Sequence, residues 1–446
     1  MIVSVLVLLP YGVAVALFAF EAFGLLSRRP ARSPAAHPVQ WVGILVATYA
    51  LQLGAIWYAA THGAAYPPWR AQMPLPVMDL HPDRASRIEA LMLACGGLQS
   101  FALIALYRSN VKPLLIAAGT AMLAAMSLAA PALASADAYS NAGYSMLANP
   151  YITPVHGFGG AYAFVDRWWG VPMVPSPYGP LWTLLDRVAI GWAPSLLAKM
   201  IALRVLCAVA LGATVAALWR LGMPLRIVAI AALNPALFLQ FVANAHNDVV
   251  ALLVIALAAL AIRRNVWLAA LALVAAGLLK VPYALLGLPV LAAVRNLWRR
   301  STVAGTVLVA TAALSWWAGG PLYAAALATH ARMAPHEFVT WRVLAALVAI
   351  AVLVAALAGV RRLRTAVWLV PPLGALYPAF LYPWYLMWSF PYALARRRVL
   401  AYLLVWLPFA SALVNQHLLQ VWTLILVYPL VALFAFQARS FRRSLR

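Results

Sequence analysis

Asp137 lies only a few residues beyond an apolar run, and Tyr139, Tyr144, Asn149, Tyr151 and His156 follow it in "DAYSNAGYSMLANPYITPVHG". A carboxylate at a lipid–water boundary, backed by phenols and amides, can act as a general base towards a hydroxyl. An interfacial acid beside belt tyrosines would produce the same pattern. A second group opens "NAHNDVVALLVIALAAL", where His246, Asn247 and Asp248 precede a run without charge. Asn247 and Asp248 suit the start of a helix, whose free N–H groups and dipole favour amide oxygen and negative charge. Capping has no need of an imidazole, and the spacing supplies too few ligands for a metal, so a hydrogen-bonding role towards a sugar or the base is the sharper reading of His246.

Two cations sit where cations are expensive. Lys280, in "AAGLLKVPYALL", stands between short apolar segments, where it can snorkel or bind an anion. Arg204 lies a turn or two inside a predicted span, where an arginine costs roughly 2.5–3.5 kcal/mol and calls for an anionic partner. Together they would suit a lipid phosphate. In "RWWGVPMVPSPYGPLW", prolines and glycines fix the backbone around Ser176 and Tyr178, while Trp168, Trp169 and Trp182 offer flat faces to a sugar or to the membrane surface. The stretch "YPAFLYPWYLMWSFPYAL" reads as an aromatic belt or as a lipid or sugar platform.

The elements that must position these residues are membrane helices. Of 446 residues, 66% are hydrophobic and 9% charged, and apolar runs of spanning length recur throughout. An all-α polytopic membrane protein with about 13–15 transmembrane helices is expected, with spans near 41–60, 88–107, 112–133, 197–219, 224–243, 247–262, 266–279, 283–298, 302–319, 384–395 and 399–415. Further spans are expected near 2–25, 342–360, 365–381 and 418–436, the first as a retained anchor. The net charge of +23 resides mainly in short clusters between these runs, the pattern of cytoplasmic anchors rather than of a nucleic-acid surface. All the acids except Glu21 and all the histidines except His37 then fall on the outer side, beside outer loops at 61–87, 134–196 and 320–341. Cys95 and Cys207 lie inside apolar runs and read as packing residues. One membrane domain, 1–446, is expected, with additional N-terminal spans in 1–111, a catalytic core in 112–395, and C-terminal spans and a basic tail in 396–446.

Acids gathered at the outer rim, rather than near the bilayer midplane, favour chemistry on a membrane-borne substrate over proton-coupled transport. A lipid or sugar transporter with an outward-facing polar site is the alternative. For glycosyl transfer, the short inner loops leave no room for a nucleotide-sugar domain. A lipid-phosphate donor fits better, because its leaving group is already a stable anion and one base suffices.

Five stretches in one order, "DAYSNAGYSMLANPY", "PSPYGPLW", "AHND", "LLKVPYALL" and "YPWYLMW", resemble the GT-C class of integral-membrane glycosyltransferases. The nearest likeness is to bacterial polyprenyl-phosphate-mannose-dependent α-mannosyltransferases, over about residues 112–395. The resemblance implies Asp137 as catalytic base, and a polyprenyl-phosphate sugar, most often mannose, as donor on the outer face of the cytoplasmic membrane. It also implies a glycan or glycolipid acceptor, inversion at the anomeric carbon, and no cofactor. Tyr139, Asn149, Tyr151, Ser176, Tyr178, His246, Asn247 and Asp248 would line the site, with Lys280 near the phosphate. Two features depart from the family pattern: three spans precede the base loop, and Ala148 stands before "NPY" where the pattern has glycine.

Overall fold

Helices dominate because these segments are apolar on nearly every face, and backbone polar groups in a hydrocarbon setting must be satisfied within their own segment. The computed structural model describes residues 37–61, 77–78, 86–133, 135, 137–152, 156–157, 174–332, 384, 387–388, 390–394 and 397–412. The expected spans at 2–25, 342–360, 365–381 and 418–436, and Trp168 and Trp169, lie outside these residues.

Among the described residues, four helices are long and apolar enough to cross a membrane. They are α1 (Pro38–Thr61), α2 (Ser86–Arg108), α6 (Leu196–Arg220) and α12 (Leu297–Arg332). A fifth span is possible if α7 (Leu225–Ala232) and α8 (Pro235–Ala243), bent by 47°, cross together. Shorter apolar helices fill the bundle: α3 (Pro113–Leu128), α9 (Asp248–Ala261), α10 (Val266–Leu279) and α11 (Pro282–Leu286, continued by a 3-10 turn over Leu288–Ala293). α13 (Phe390–Ala393) and α14 (Arg397–Ser411) close the described chain. The chain is an all-α polytopic membrane protein. Large apolar side chains such as Leu114, Trp298 and Trp317 remain exposed on it, as a lipid-facing surface requires.

The structure departs from expectation in three places. The segment 283–298 is not one span: a five-residue helix gives way to a 3-10 turn, since Pro289 interrupts it. Among the described residues, the expected outer loop 134–196 holds two helices, α4 (Asp137–Tyr144) and α5 (Pro180–Ile190). α12 continues through 320–332, bending where Gly320 takes φ 58° ahead of Pro321. Cys95 and Cys207 are buried free thiols, as read from the sequence.

Polar side chains join the helices at a few points. Gln99 Nε2 donates to Gln52 Oε1 at 2.8 Å, Thr120 Oγ1 donates to the Ala232 carbonyl at 3.1 Å, and Asn234 Nδ2 donates to the Leu404 carbonyl at 2.7 Å. Such bonds supply much of the specificity between helices that lipid would solvate equally well. Beyond α3 the chain forms strand β2 (Ala132–Leu133), which pairs in parallel with strand β1 (Val77–Met78).

Arg204 is fully buried in α6, and its Nη1 donates to the carbonyls of Leu128 (3.0 Å) and Ala130 (2.7 Å). It thus satisfies orphan acceptors at the C-terminal end of α3 and fixes the exit of the chain towards Asp137. Arg204→Met removes both charge-assisted bonds while keeping the aliphatic stem. A loss of about 1.5–3 kcal/mol per bond is expected at most, seen as a lower unfolding temperature of the detergent-solubilised protein. An unchanged unfolding temperature would deny Arg204 this role.

Candidate active site

Asp137 is placed by local turn chemistry. Ser135 Oγ accepts the backbone N–H of Asp137 at 3.2 Å, and Asp137 becomes the first residue of α4, where the helix dipole favours a carboxylate. Its side chain remains 23% exposed. Tyr178 Oη donates to Asp137 Oδ2 at 3.1 Å. His246 Nε2 lies 2.8 Å from Ser135 Oγ and 3.7 Å from Asp137 Oδ2, and its ring stacks on Trp384 at 3.9 Å. Burial holds the imidazole below its usual range, against the pull of Asp137, so at neutral pH it is a neutral hydrogen-bonding group.

The turn that delivers His246 is itself unusual. Residues Phe238–Ala243 at the end of α8 are π-helical, and Ala245 takes φ 54°, a left-handed conformation costing an L-residue roughly 1–2 kcal/mol. Both features recur at functional sites, where packing sustains strain that local preference would reject.

Asp248, at the start of α9, is 1% exposed at its side chain, but it is not alone. Lys280 Nζ donates to both carboxylate oxygens (3.1 and 2.9 Å), Tyr283 Oη donates to Oδ1 at 3.1 Å, and Trp388 Nε1 donates to Oδ1 at 2.8 Å. The sequence reading of a helix cap is therefore incomplete: the side chain is spent on tertiary donors. Lys280 is the accessible member of the pair, at 16%. Its ammonium lies 5.5 Å from the Trp388 ring centre and 6.0 Å from that of Tyr178, within reach of cation–π attraction.

Tyr178 therefore touches both halves, its hydroxyl on Asp137 and its ring facing Lys280. The "SPYGP" stretch fixes it there. Ser176 N–H donates to the Pro150 carbonyl (2.9 Å), Ser176 Oγ accepts the Tyr178 N–H (3.3 Å), and Gly179 N–H donates to the Leu279 carbonyl (3.0 Å). A Cβ on Gly179 would lie 2.0 Å from the Leu278 carbonyl oxygen, so only glycine permits this approach to the end of α10. Trp182 Nε1 donates to Asn141 Oδ1 at 3.0 Å, holding α5 against α4.

Among the residues picked out by sequence, Asp137, Tyr178, His246, Asp248 and Lys280 converge. Tyr139 and Ser176 are buried in the wall behind them. Asn149 Oδ1 accepts the Tyr151 N–H (2.9 Å) to form a local turn, and Tyr151 donates to the Tyr178 carbonyl (3.3 Å) and packs on Tyr323. Ala148, at the family's glycine position, accepts a bond from Arg187 Nη2 at its carbonyl (2.9 Å). Asn247 is 2% exposed, with no partner for its amide among the described residues. Arg204 is fully buried, and its bonds hold backbone at the end of α3. Ser135 and Tyr283 were not picked out from the sequence, and Trp384 and Trp388 only as part of an aromatic stretch. Tyr283, three residues beyond Lys280 across Pro282, and the Trp384/Trp388 pair at helical spacing were the available signals. Among the described residues, no three His, Cys, Asp or Glu side chains gather as metal ligands would.

Residues 40–297 match the family described as alpha-(1->6)-mannopyranosyltransferase, N-terminal domain. The chain belongs to this family. It is a mannosyltransferase, which decides between the transferase and transport readings. The matched region includes α1 and α2, so helices that looked additional in the sequence lie inside the family's own domain. No curated protein and no solved structure matches the chain.

The buried pair in this mannosyltransferase makes a stability prediction. Lys280→Met should destabilise the protein by about 3–5 kcal/mol, because it strands the Asp248 carboxylate. Adding Asp248→Asn should recover much of that loss. Denaturant unfolding in detergent measures both, and a double variant no more stable than Lys280→Met would refute the pairing as the source.

Proposed function

We propose that this mannosyltransferase takes mannose from a polyprenyl-phosphate carrier on the outer side of the cytoplasmic membrane. It transfers the sugar with inversion to a hydroxyl of a glycan or glycolipid. Asp137 removes the proton of the acceptor hydroxyl as its oxygen attacks the anomeric carbon. The bond from that carbon to the phosphate oxygen breaks, and the polyprenyl phosphate departs with the electron pair. A β-linked donor then gives an α-linked product, and the family's description points to an α-(1→6) linkage.

The observation that carries this reading is the placement of Tyr178 between an accessible carboxylate, Asp137, and an anchored ammonium, Lys280. A base and a cation set apart by one side chain suit a reaction in which a proton leaves the nucleophile while negative charge grows on the leaving group. Lys280, fixed by Asp248, loses little conformational freedom on meeting the phosphate. The phosphate needs no acid to depart, so a single carboxylate base is enough. The ring of Tyr178 would line the sugar-bearing side, with His246 and Trp388 buried behind it. No cofactor enters this scheme: the lipid-linked sugar is itself a substrate.

Asp137→Asn tests the base directly. It should lower kcat by about 10²–10⁴-fold, with a donor KM near that of the parent and an unaltered unfolding temperature. A kcat close to that of the parent would remove Asp137 from the chemistry.

A further inference from the structure

The N-terminal helices have a structural link to the catalytic loop. β1 belongs to the connection between α1 and α2, yet it pairs with β2 in the register Val77 with Ala132 and Met78 with Leu133. β2 ends two residues before Ser135 and four before Asp137. β2 also packs against the π-helical run Phe238–Ala243, which leads into the turn carrying His246. β2 therefore contacts both a strand from the N-terminal hairpin and the segment that supplies the imidazole partner of Ser135.

We propose that Val77 and Met78 are positioning residues for transfer: through backbone pairing, the outer connection of the α1–α2 hairpin sets the register of β2 and so places Asp137. This rests on the reading of Asp137 as the base. Arg204 holds the same segment from its upstream end, at Leu128 and Ala130, and the Ser135 hydroxyl holds it downstream. Between those anchors, β1 is the contact that opposes a slip of one residue, and a one-residue slip in a strand reverses the direction of its side chains. The consequence for catalysis is large, since a displacement of about 1 Å at a reacting group can cost about 100-fold in rate.

The experiment uses the full chain in lipid, with labelled polyprenyl-phosphate-mannose and a membrane glycolipid acceptor. Val77→Pro/Met78→Pro removes both N–H groups this strand can offer to the pair. It should lower kcat by about 10- to 100-fold, with donor KM and unfolding temperature close to the parent's. Val77→Thr, which keeps the N–H and the β-branched form, should retain kcat within about twofold. Unchanged turnover in the double proline variant would overturn the proposal, as would a rate loss matched by an equal loss of folded protein.

A second variant covers the case in which the prolines prevent folding. Val77→Cys/Ala132→Cys places two thiols on paired residues about 4.8 Å apart, inside the range a disulfide spans. The native thiols, Cys95 and Cys207, are buried and do not compete. The oxidised pair should form and the cross-linked enzyme should keep its turnover. Failure to cross-link, or a cross-linked enzyme that works only after reduction, would overturn the proposal. Asp137→Asn separates the two levels: if that variant is inactive while the double proline variant is active, only the role of β1 falls.

Discussion

A carboxylate removed from water must have every oxygen occupied, and Asp248 meets that requirement with three donors from two separate stretches. Lys280 comes from the break after α10, Tyr283 from α11, and Trp388 from a segment more than a hundred residues further on. The full set forms only where the start of α9, the α10–α11 junction and the Trp388 segment meet, so satisfying one buried charge assembles much of the site. The same contact orients Lys280 across the rings of Tyr178 and Trp388. From Tyr178 the connection passes through its hydroxyl to Asp137.

The two halves of the site are built differently. The cation half is internal and heavily bonded, which in the proposed reaction would hold the ammonium in place as a phosphate-bearing lipid enters and leaves. The acid half is more open: Asp137 retains exposure, and its neighbours are a phenol, a hydroxyl and a neutral imidazole. The base proposed here would both receive a proton and release it, and such access would serve it. The left-handed Ala245 and the π-helical turn before it show where the scaffold accepts strain to present His246 to Ser135 and Asp248 to Lys280.

Much of this was legible in the sequence because hydrophobic run length and break residues carry it. The long spans α1, α2 and α6 follow from their composition, and Asp137, Tyr178, His246, Asp248 and Lys280 stand out as polar groups at the ends of apolar runs. Less legible were features that depend on partners. Arg204 looks like an anion ligand because an arginine inside a span demands a partner, but backbone carbonyls at the end of α3 serve as well as a phosphate. α4 and α5 were read as loop, since each is too short and too polar for the spanning pattern and is held by Trp182, Asn141 and the Gly179 turn. A two-residue strand pair such as β1–β2 leaves almost no periodic signal, and Ser135, Tyr283 and Trp388 acquire meaning only through the groups they meet.

The most direct test of the central claim is the source of the transferred sugar. The purified protein in proteoliposomes would be offered a glycolipid acceptor with labelled mannose either on a polyprenyl phosphate or on a guanosine diphosphate, and products would be separated by thin-layer chromatography. The arrangement of Asp137, Tyr178 and Lys280 predicts that label moves to a slower-migrating glycolipid from the lipid-linked donor and not from the nucleotide. Transfer from the nucleotide sugar, with none from the lipid-linked donor, would contradict it.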